Sequence, residues 1–217
     1  MIPLYLGFDA REEVGFHTFT SSVMHHATDA VAFIPVSGPQ RDGTNAFTYA
    51  RFLVPALQRY EGYALFADGS DMIVKDDIAE LWALRDRSYA VQVVKHDYVT
   101  RHPRKYVGTR MEAPNHDYPR KNWASLMLFN CEHPAWKELP TLLEAPGPRL
   151  MRLEFLQDRE IGSLPRAWNW LADEYGENPP AKLLHYTAGI PAWKAYEDTP
   201  HAKDWRAAHQ RVNHATP

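Results

Sequence analysis

Several features that mark special classes of protein are scarce or missing in this 217-residue sequence. Its single cysteine, Cys131, excludes an internal disulfide and is typical of a reducing compartment. Its formal net charge of -3 offers no basic surface to a nucleic-acid partner. No apolar run approaches the roughly 20 residues that span a bilayer, and no basic leader precedes the apolar N-terminus. These absences predict a cytoplasmic protein with neither a nucleic-acid partner nor a transmembrane segment.

Short apolar runs alternate with amphipathic segments along the chain, and this pattern is typical of a layered α/β domain. The apolar runs predict strands at residues 4–8, 31–36, 63–68, 90–94, 125–130 and 182–186. The amphipathic segments predict helices at residues 15–27, 47–60, 78–84 and 134–143, the second of them kinked at Pro55. No linker divides the chain, so we expect residues 1–217 to form a single domain.

The strand predicted to end near residue 68 leads into two acidic residues, Asp68 and Asp71. Gly69 and Ser70 lie between them and break the strand at its carboxyl end, which is where ligands gather in open α/β sheets. Two carboxylates in that place repel each other unless a cation lies between them. Carboxylate oxygens suit Mg²⁺ or Mn²⁺, and such an ion is often shared with the phosphates of a substrate. The sequence therefore predicts a metal-assisted site for a phosphorylated small molecule.

Four segments, in order, resemble the nucleotide-sugar-dependent glycosyltransferases of the GT-A fold, especially glycosyltransferase family 8, the glycogenin and galactosyltransferase-like group. They resemble the helix before that family's metal motif, the metal strand with its following helix, the strand behind the donor sugar, and the late segment that supplies a metal-binding histidine. These segments are residues 47–52, 65–82, 123–130 and 183–193. The resemblance implies a Rossmann-like α/β fold with a mixed, mainly parallel sheet and flanking helices.

The same resemblance implies a function. A sugar would move from a nucleotide-sugar donor, here a UDP-sugar, to a carbohydrate or other hydroxyl acceptor, with the anomeric configuration retained. Mn²⁺, or Mg²⁺, would be held by Asp68, Asp71 and His185 and would offset the charge of the departing diphosphate. The family's motif is Asp-x-Asp, whereas two residues separate the aspartates here, and Gly69 stands where the first aspartate would be.

The resemblance also implies a set of donor-binding residues. Phe8 and Asp9 would contact the base, and Arg51 would lie near the phosphates. Ile190 stands where relatives carry a lysine, so Lys194, Lys121 or Arg120 would supply that charge. The predicted donor-binding residues are Phe8, Asp9, Arg11, Arg51, Asp68, Lys121, Asn122, Ser125, Gly189 and Lys194.

The resemblance also implies catalytic residues, and the sequence of one long loop predicts a lid. Gln157 and Asp158 stand near the family's Asp-Gln pair, where Asp158 would orient the acceptor hydroxyl or the sugar ring. Residues 95–122 have no strand or helix periodicity and many basic side chains. A polar loop this long is usually functional or disordered, and we expect it to close over the donor or acceptor.

Three other functions stay open on the sequence alone. A nucleotidyltransferase that makes nucleotide-sugars typically opens with a Gly-rich, basic phosphate loop, and residues 9–13 are neither. A glycoside hydrolase needs two carboxylates roughly 5 to 9.5 Å apart across the sugar, and Asp68 and Asp71 are too local to predict that. A non-catalytic nucleotide- or carbohydrate-binding module would bind the same ligand without releasing UDP from it.

Overall fold

The computed structural model describes residues 1–38, 44–138, 144 and 146–212. Its strands, in chain order, are β1 Ile2–Gly7, β2 Val31–Val36, β3 Tyr63–Ala67, β4 Met72–Val74, β5 Val91–Val93, β6 Arg104–Lys105, β7 Ala113–Pro114, β8 Leu126–Asn130, β9 Ile161–Ser163, β10 Trp170–Leu171 and β11 Leu183–His185. Its helices are α1 Glu13–His26, α2 Val54–Leu57, α3 Ile78–Ala83, α4 Gly147–Met151, α5 Ala172–Tyr175 and α6 Ala202–Val212.

The central sheet has six strands in the order β2–β1–β3–β8–β5–β9. Strand β8 runs antiparallel to both of its neighbours, and the other pairings in this sheet are parallel. A smaller sheet has the order β10–β11–β4, and β6 pairs with β7 in an antiparallel hairpin. The prediction of a mixed, mainly parallel α/β sheet is confirmed.

The central strands are apolar along their length because both faces of the sheet are covered. In β3, Phe66 contributes to the core that contains Trp136, whereas Leu65 points to the opposite core, which contains Phe19 of α1. A third cluster, around Trp205 of α6, packs on the smaller sheet. Both faces of β3 are thus anchored, and the residues after its carboxyl end are held in place.

Two helix predictions differ from the structure. Residues 47–60 do not form one kinked helix, because a 3-10 helix at Ala50–Leu53 leads directly into the short α2. Pro55 lies in the first turn of α2, where its missing N–H costs nothing, so it helps to begin that helix. The prediction at 134–143 is also wrong in type, since Pro134–Glu138 is a 3-10 helix, and residues 139–143 lie outside the described residues.

The residues of the predicted metal site lie where the strand ends of the two sheets come together. Strands β1 and β3 end at this edge, and β8, which is antiparallel to β3, begins there. In the smaller sheet, the end of β11 lies beside the start of β4, because His185 pairs with Met72.

Across the described residues, no helix has both the length and the apolar character needed to cross a membrane.

Candidate metal centre

Asp68, Asp71 and His185 form a cluster in which one ligand atom from each lies within 4.8 Å of the others. Asp68 follows β3, Asp71 precedes β4, and His185 is the last residue of β11. The antiparallel pairing of β4 with β11 brings His185 Nε2 to 3.3 Å from Asp71 Oδ2. Gly69 turns the chain between the two aspartates with a φ of +74°, a conformation that favours glycine. The site thus joins the ends of both sheets.

Helix α1 supports this loop from behind. A Cβ atom built on Gly15 would lie 1.6 Å from the backbone oxygen of Ser70, so the helix and the loop are in direct contact. Two turns further along the helix, Ser22 Oγ accepts a hydrogen bond of 2.9 Å from the backbone N–H of Val74 in β4. A side chain at position 15 would displace residues 68–71, which join β3 to β4 and are called the metal loop below.

A chain of hydrogen bonds fixes the orientation of the His185 ring. Ser125 Oγ donates to the backbone oxygen of Asn122 at 2.7 Å, so it can only accept from Asn169 Nδ2, which lies 2.8 Å away. The amide oxygen of Asn169 is therefore the atom that lies 3.0 Å from His185 Nδ1, and this nitrogen carries the proton. Nε2 is left facing Asp71 and the centre of the cluster, which is the arrangement of a metal-binding imidazole held by a second residue.

The cluster is rich in negative charge and mostly buried. The side chains of His185, Asp71 and Asp68 are 2%, 9% and 15% exposed. Within the described residues, Asp71 Oδ1 is buried and has no hydrogen-bond donor. Arg51 Nη1 lies 2.8 Å from Asp68 Oδ1 as an ion pair, but it lacks the alignment of a hydrogen bond, so this oxygen also has no hydrogen-bond donor there. Carboxylate oxygens left without donors beside an imidazole suit a divalent cation such as Mn²⁺.

The pKa shifts around the cluster agree with an excess of negative charge. Burial raises the pKa of Asp68 to about 6, although the Arg51 charge opposes the rise. Burial and the charges of Asp71, Asp9 and Asp68 raise the pKa of Glu12 to about 8. Burial by itself would lower the pKa of His185, but the neighbouring carboxylates raise it above its usual value. A bound cation would relieve this repulsion.

The cluster lies in the wall of a cavity of about 730 Å³. The cavity is also lined by residues of the β6–β7 hairpin and of the segment that follows it, such as Lys105, Tyr106 and Tyr118. A smaller, inner cavity of about 270 Å³ adjoins it and shares several lining residues with it, among them Lys105 and Asn122. The volume of the larger cavity is in the range that holds small-molecule ligands.

The structure separates the residues predicted to bind the base. Arg11 lines the larger cavity, and Asp9 holds it there through hydrogen bonds of 2.9 and 2.6 Å to its guanidinium group. These bonds from Arg11 lower the pKa of Asp9 to about 2, and the carboxylate also accepts from the backbone of Ala46. Phe8 instead packs edge to face on Phe16, and neither Phe8 nor Asp9 lines the cavity.

The remaining donor residues fall into two groups. Arg51 and Asn122 line the larger cavity, whereas Lys121 lines the inner one with its side chain 8% exposed. Ser125 is buried in the hydrogen-bond chain behind His185. Gly189 and Lys194 lie outside both cavities. Gly189 packs against the Tyr196 ring, and Lys194 is exposed at the start of a 3-10 helix.

The structure places the two predicted catalytic residues on the surface. Gln157 and Asp158 are exposed at the start of the 3-10 helix Asp158–Glu160, and neither lines a described cavity. Asp158 forms an ion pair with Arg120, which also donates to the backbone oxygens of Arg152 and Leu153. The structure therefore brings Asp158 to Arg120 and not to the metal cluster.

Sequence reasoning missed three buried acids, Glu12, Asp173 and Glu174, and the first two act electrostatically on the cluster. Glu12 belongs to a run that reads as a solvated turn, but it is 3% exposed and accepts from Asn45 Nδ2 at 2.8 Å. Asp173 accepts from the backbone N–H groups of Thr187 and Ala188, and it thereby orders the chain directly after His185. No local pattern signals either role, because each depends on contacts with distant segments.

Similarity to known proteins agrees with this architecture. No family model matches the sequence. The apo structure of the bifunctional glycosyltransferase WbbM is similar with a TM-score of 0.69 and 17% identity over 98% of this chain, which spans 50% of the length of WbbM. The galactosyltransferase LgtC, in complex with donor and acceptor sugar analogs, is similar with a TM-score of 0.65 and 13% identity, over 100% of this chain and 98% of LgtC. These similarities confirm the GT-A fold and, at such low identity, show the fold alone.

A curated relative from a plant is much closer in sequence. Protein CDI of Arabidopsis thaliana is 34% identical over an alignment of 221 residues, which covers 93% of this chain and 83% of the relative. The chain therefore belongs to the same family as Protein CDI.

Proposed function

We propose that this chain is a metal-dependent glycosyltransferase of the family 8 type. It would move a sugar from a nucleotide-sugar donor, such as a UDP-sugar, to a carbohydrate or other hydroxyl acceptor, with residues 1–217 acting as one catalytic domain. The observation that carries the proposal is the cluster of Asp68, Asp71 and His185 in the wall of a cavity of about 730 Å³, at the strand ends of a GT-A sheet. The GT-A structures of WbbM and LgtC support it, since both of those proteins are glycosyltransferases.

The proposal gives each residue of the centre a task. Asp68, Asp71 and His185 would hold Mn²⁺ or Mg²⁺, which supplies the positive charge that stabilises the departing diphosphate. Asn169 holds the His185 ring so that Nε2 points into the cluster. Arg51 balances the charge of Asp68 from the buried side and also donates to the backbone oxygen of Ala124.

The described lining of the larger cavity has few carboxylates that could act as a protein nucleophile. Besides the two aspartates of the cluster, its described lining has the carboxylates of Glu112 and Asp117. Glu112 is paired with Arg104, and Asp117 accepts from the backbone N–H of Thr100. This supports a retaining transfer in which the departing phosphate deprotonates the acceptor hydroxyl on the same face. Determining the anomeric configuration of the product by NMR tests this mechanism, and an inverted product would reject it.

Incubation with a panel of UDP-sugars and Mn²⁺ tests the function itself. We expect release of UDP, stimulated by an acceptor and lost on addition of EDTA. Asp71→Asn and His185→Ala are expected to lower the rate by at least about 100-fold, because each removes a ligand of the cation. Asp86→Asn is the matched control, since Asp86 is an exposed aspartate that does not line the cavity.

The other functions predict different products in the same assay. A binding module would retain UDP-sugar without releasing UDP, and a nucleotidyltransferase would release pyrophosphate from UTP and a sugar phosphate. A glycoside hydrolase would cleave simple glycosides without any nucleotide. If no UDP-sugar is turned over and one of these three other results is obtained, the proposed transfer is wrong.

Residues 95–122 are proposed to close over the donor. Several of them, from Lys105 to Asn122, line the larger cavity, which is where a lid would contact its ligand. Limited proteolysis with and without UDP and Mn²⁺ tests this, and cleavage of the segment that is unchanged by the ligands would contradict it.

A further inference from the structure

We infer that Lys105 is the cation that binds the second phosphate of the nucleoside diphosphate, the phosphate next to the sugar. The inference rests on the proposed function and names a binding residue that sequence reasoning did not select. It follows from the contacts that the other basic residues make, and from the place of Lys105 between the two cavities.

The basic residues expected to meet the diphosphate are already engaged or distant. Lys121 is buried and donates to Asn115 Oδ1 at 2.8 Å, with Asp117 at 3.5 Å. Arg120 is bound to Asp158 and to two backbone oxygens. Lys194 is exposed and outside both cavities.

The arginines of the larger cavity are less suitable than Lys105. Arg11 and Arg51 are paired with Asp9 and Asp68, so their charges are already balanced. Arg152 lies 3.5 Å from a glutamate. Arg110 is exposed on the outer part of the hairpin.

Lys105 is half-buried and has no carboxylate within ion-pair distance in the part of the chain that the structure describes. It lines both cavities. An anion that reaches from the metal cluster towards the inner cavity would therefore pass this ammonium group.

The backbone holds Lys105 close to the metal cluster. The N–H of the next residue, Tyr106, donates to the oxygen of Ala188 at 2.7 Å, and Ala188 lies three residues after His185. Tyr106 is buried with a φ of 58°, a left-handed conformation that is uncommon for an aromatic residue and concentrated at ligand-binding sites.

Isothermal titration with UDP and with UMP, both in the presence of Mn²⁺, tests the inference. We expect Lys105→Met, which keeps most of the apolar stem, to weaken UDP binding by about 10- to 100-fold, as expected for loss of a charge-assisted contact to phosphate. UMP binding should change less than about threefold, because UMP lacks the second phosphate. Lys105→Arg should recover most of the UDP affinity, and Lys203→Met, which removes an exposed lysine outside both cavities, should bind both nucleotides like the wild type.

The outcomes separate this inference from the proposed function. If the wild type binds UDP with Mn²⁺ and Lys105→Met binds it equally well, or loses UDP and UMP to the same extent, Lys105 does not have this role. If the wild type binds none of UDP, GDP, ADP and CDP with Mn²⁺, the proposed function and this inference both fail. Lys105→Gln repeats the test if the methionine variant does not fold, as judged by thermal unfolding without ligands.

Discussion

Replacing Asn169 by alanine tests whether one buried amide both stabilises the fold and prepares the metal centre. Asn169 is fully buried and bridges His185 Nδ1 at 3.0 Å and Ser125 Oγ at 2.8 Å. Its removal leaves one buried donor and one buried acceptor without partners, each at a cost of about 1 to 3 kcal/mol. The hydroxyl of Ser125 keeps its bond to Asn122, so we expect the free energy of unfolding to fall by about 2 to 4 kcal/mol.

The same substitution should weaken metal binding by more than its effect on stability explains. Residues that orient a ligating histidine typically contribute about 10- to 100-fold to metal affinity. Urea unfolding without metal gives the first quantity, and titration of Mn²⁺ in the presence of UDP gives the second. Asn130→Ala is the matched control, because Asn130 is a buried asparagine at the opposite end of β8 that donates to the Arg87 oxygen at 3.4 Å. It should lose stability without losing affinity for Mn²⁺.

A third variant distinguishes orientation of the ring from general damage. Asn169→Asp keeps an acceptor for His185 Nδ1 but cannot donate to Ser125 Oγ. It is expected to recover metal affinity while the free energy of unfolding stays below that of the wild type. Metal affinity that is unchanged in Asn169→Ala, despite the loss of stability, would refute the orientation of His185 by this amide.

Three further perturbations test the support around the site. Gly15→Ala places a Cβ 1.6 Å from the backbone of the metal loop, so we expect a loss of about 3 kcal/mol in unfolding free energy and loss of Mn²⁺ binding. Gly38→Ala, whose nearest contact would be 3.6 Å, should leave thermal unfolding with and without Mn²⁺ unchanged. Burial lowers the pKa of His96 to about 3, so below pH 6.5 the unfolded chain binds a proton that the folded chain excludes. Stability should fall by about 2 kcal/mol between pH 7 and pH 5 from this group, and urea unfolding of His96→Gln should lack that part of the decrease. Arg51→Met leaves Asp68 buried without its counter-charge and should cost about 3 to 5 kcal/mol in urea unfolding, of which a second change, Asp68→Asn, should restore a part.

The strands could be predicted from sequence because their burial is uniform. A strand covered on both faces is apolar along its length, as in β3 and in β8 up to Phe129, and such runs can be recognised without knowing their partner strands. The helix predicted at 47–60 was wrong because contacts with distant residues decide the conformation there. The apolar pattern is compatible with a helix, but the Arg51 side chain binds partners outside this segment. Its guanidinium reaches Asp68 and the backbone of Ala124, and such distant partners decide the local conformation.

The site was predictable only as far as neighbouring residues define it. Asp68 and Asp71 share one turn, so a short pattern reveals them as a pair. The hydrogen-bond chain from His185 through Asn169 to Ser125 joins three separate segments, and nothing in any one of them shows the others. The segment 95–122 lacks periodicity because its order comes from contacts with distant residues. One example is the pair of bonds from Thr100 and Arg101 to Glu174.

The charge distribution explains why the centre and the fold must be considered together. The buried Asp71, the partly exposed Asp68 and a third acid nearby, Glu12, repel each other. Folding without a cation is tolerated because Arg51 is buried beside Asp68 and because the raised pKa of Glu12 keeps it neutral at neutral pH. Binding of a cation to the folded chain would remove part of this repulsion and would add stability that grows with the logarithm of the cation concentration over its dissociation constant. The inner cavity differs in its charge, because its described lining includes Lys105 and Lys121 and no carboxylate. In the proposed donor complex, the cation at the cluster would meet the diphosphate, and Lys105, which lines both cavities, would meet the phosphate next to the sugar.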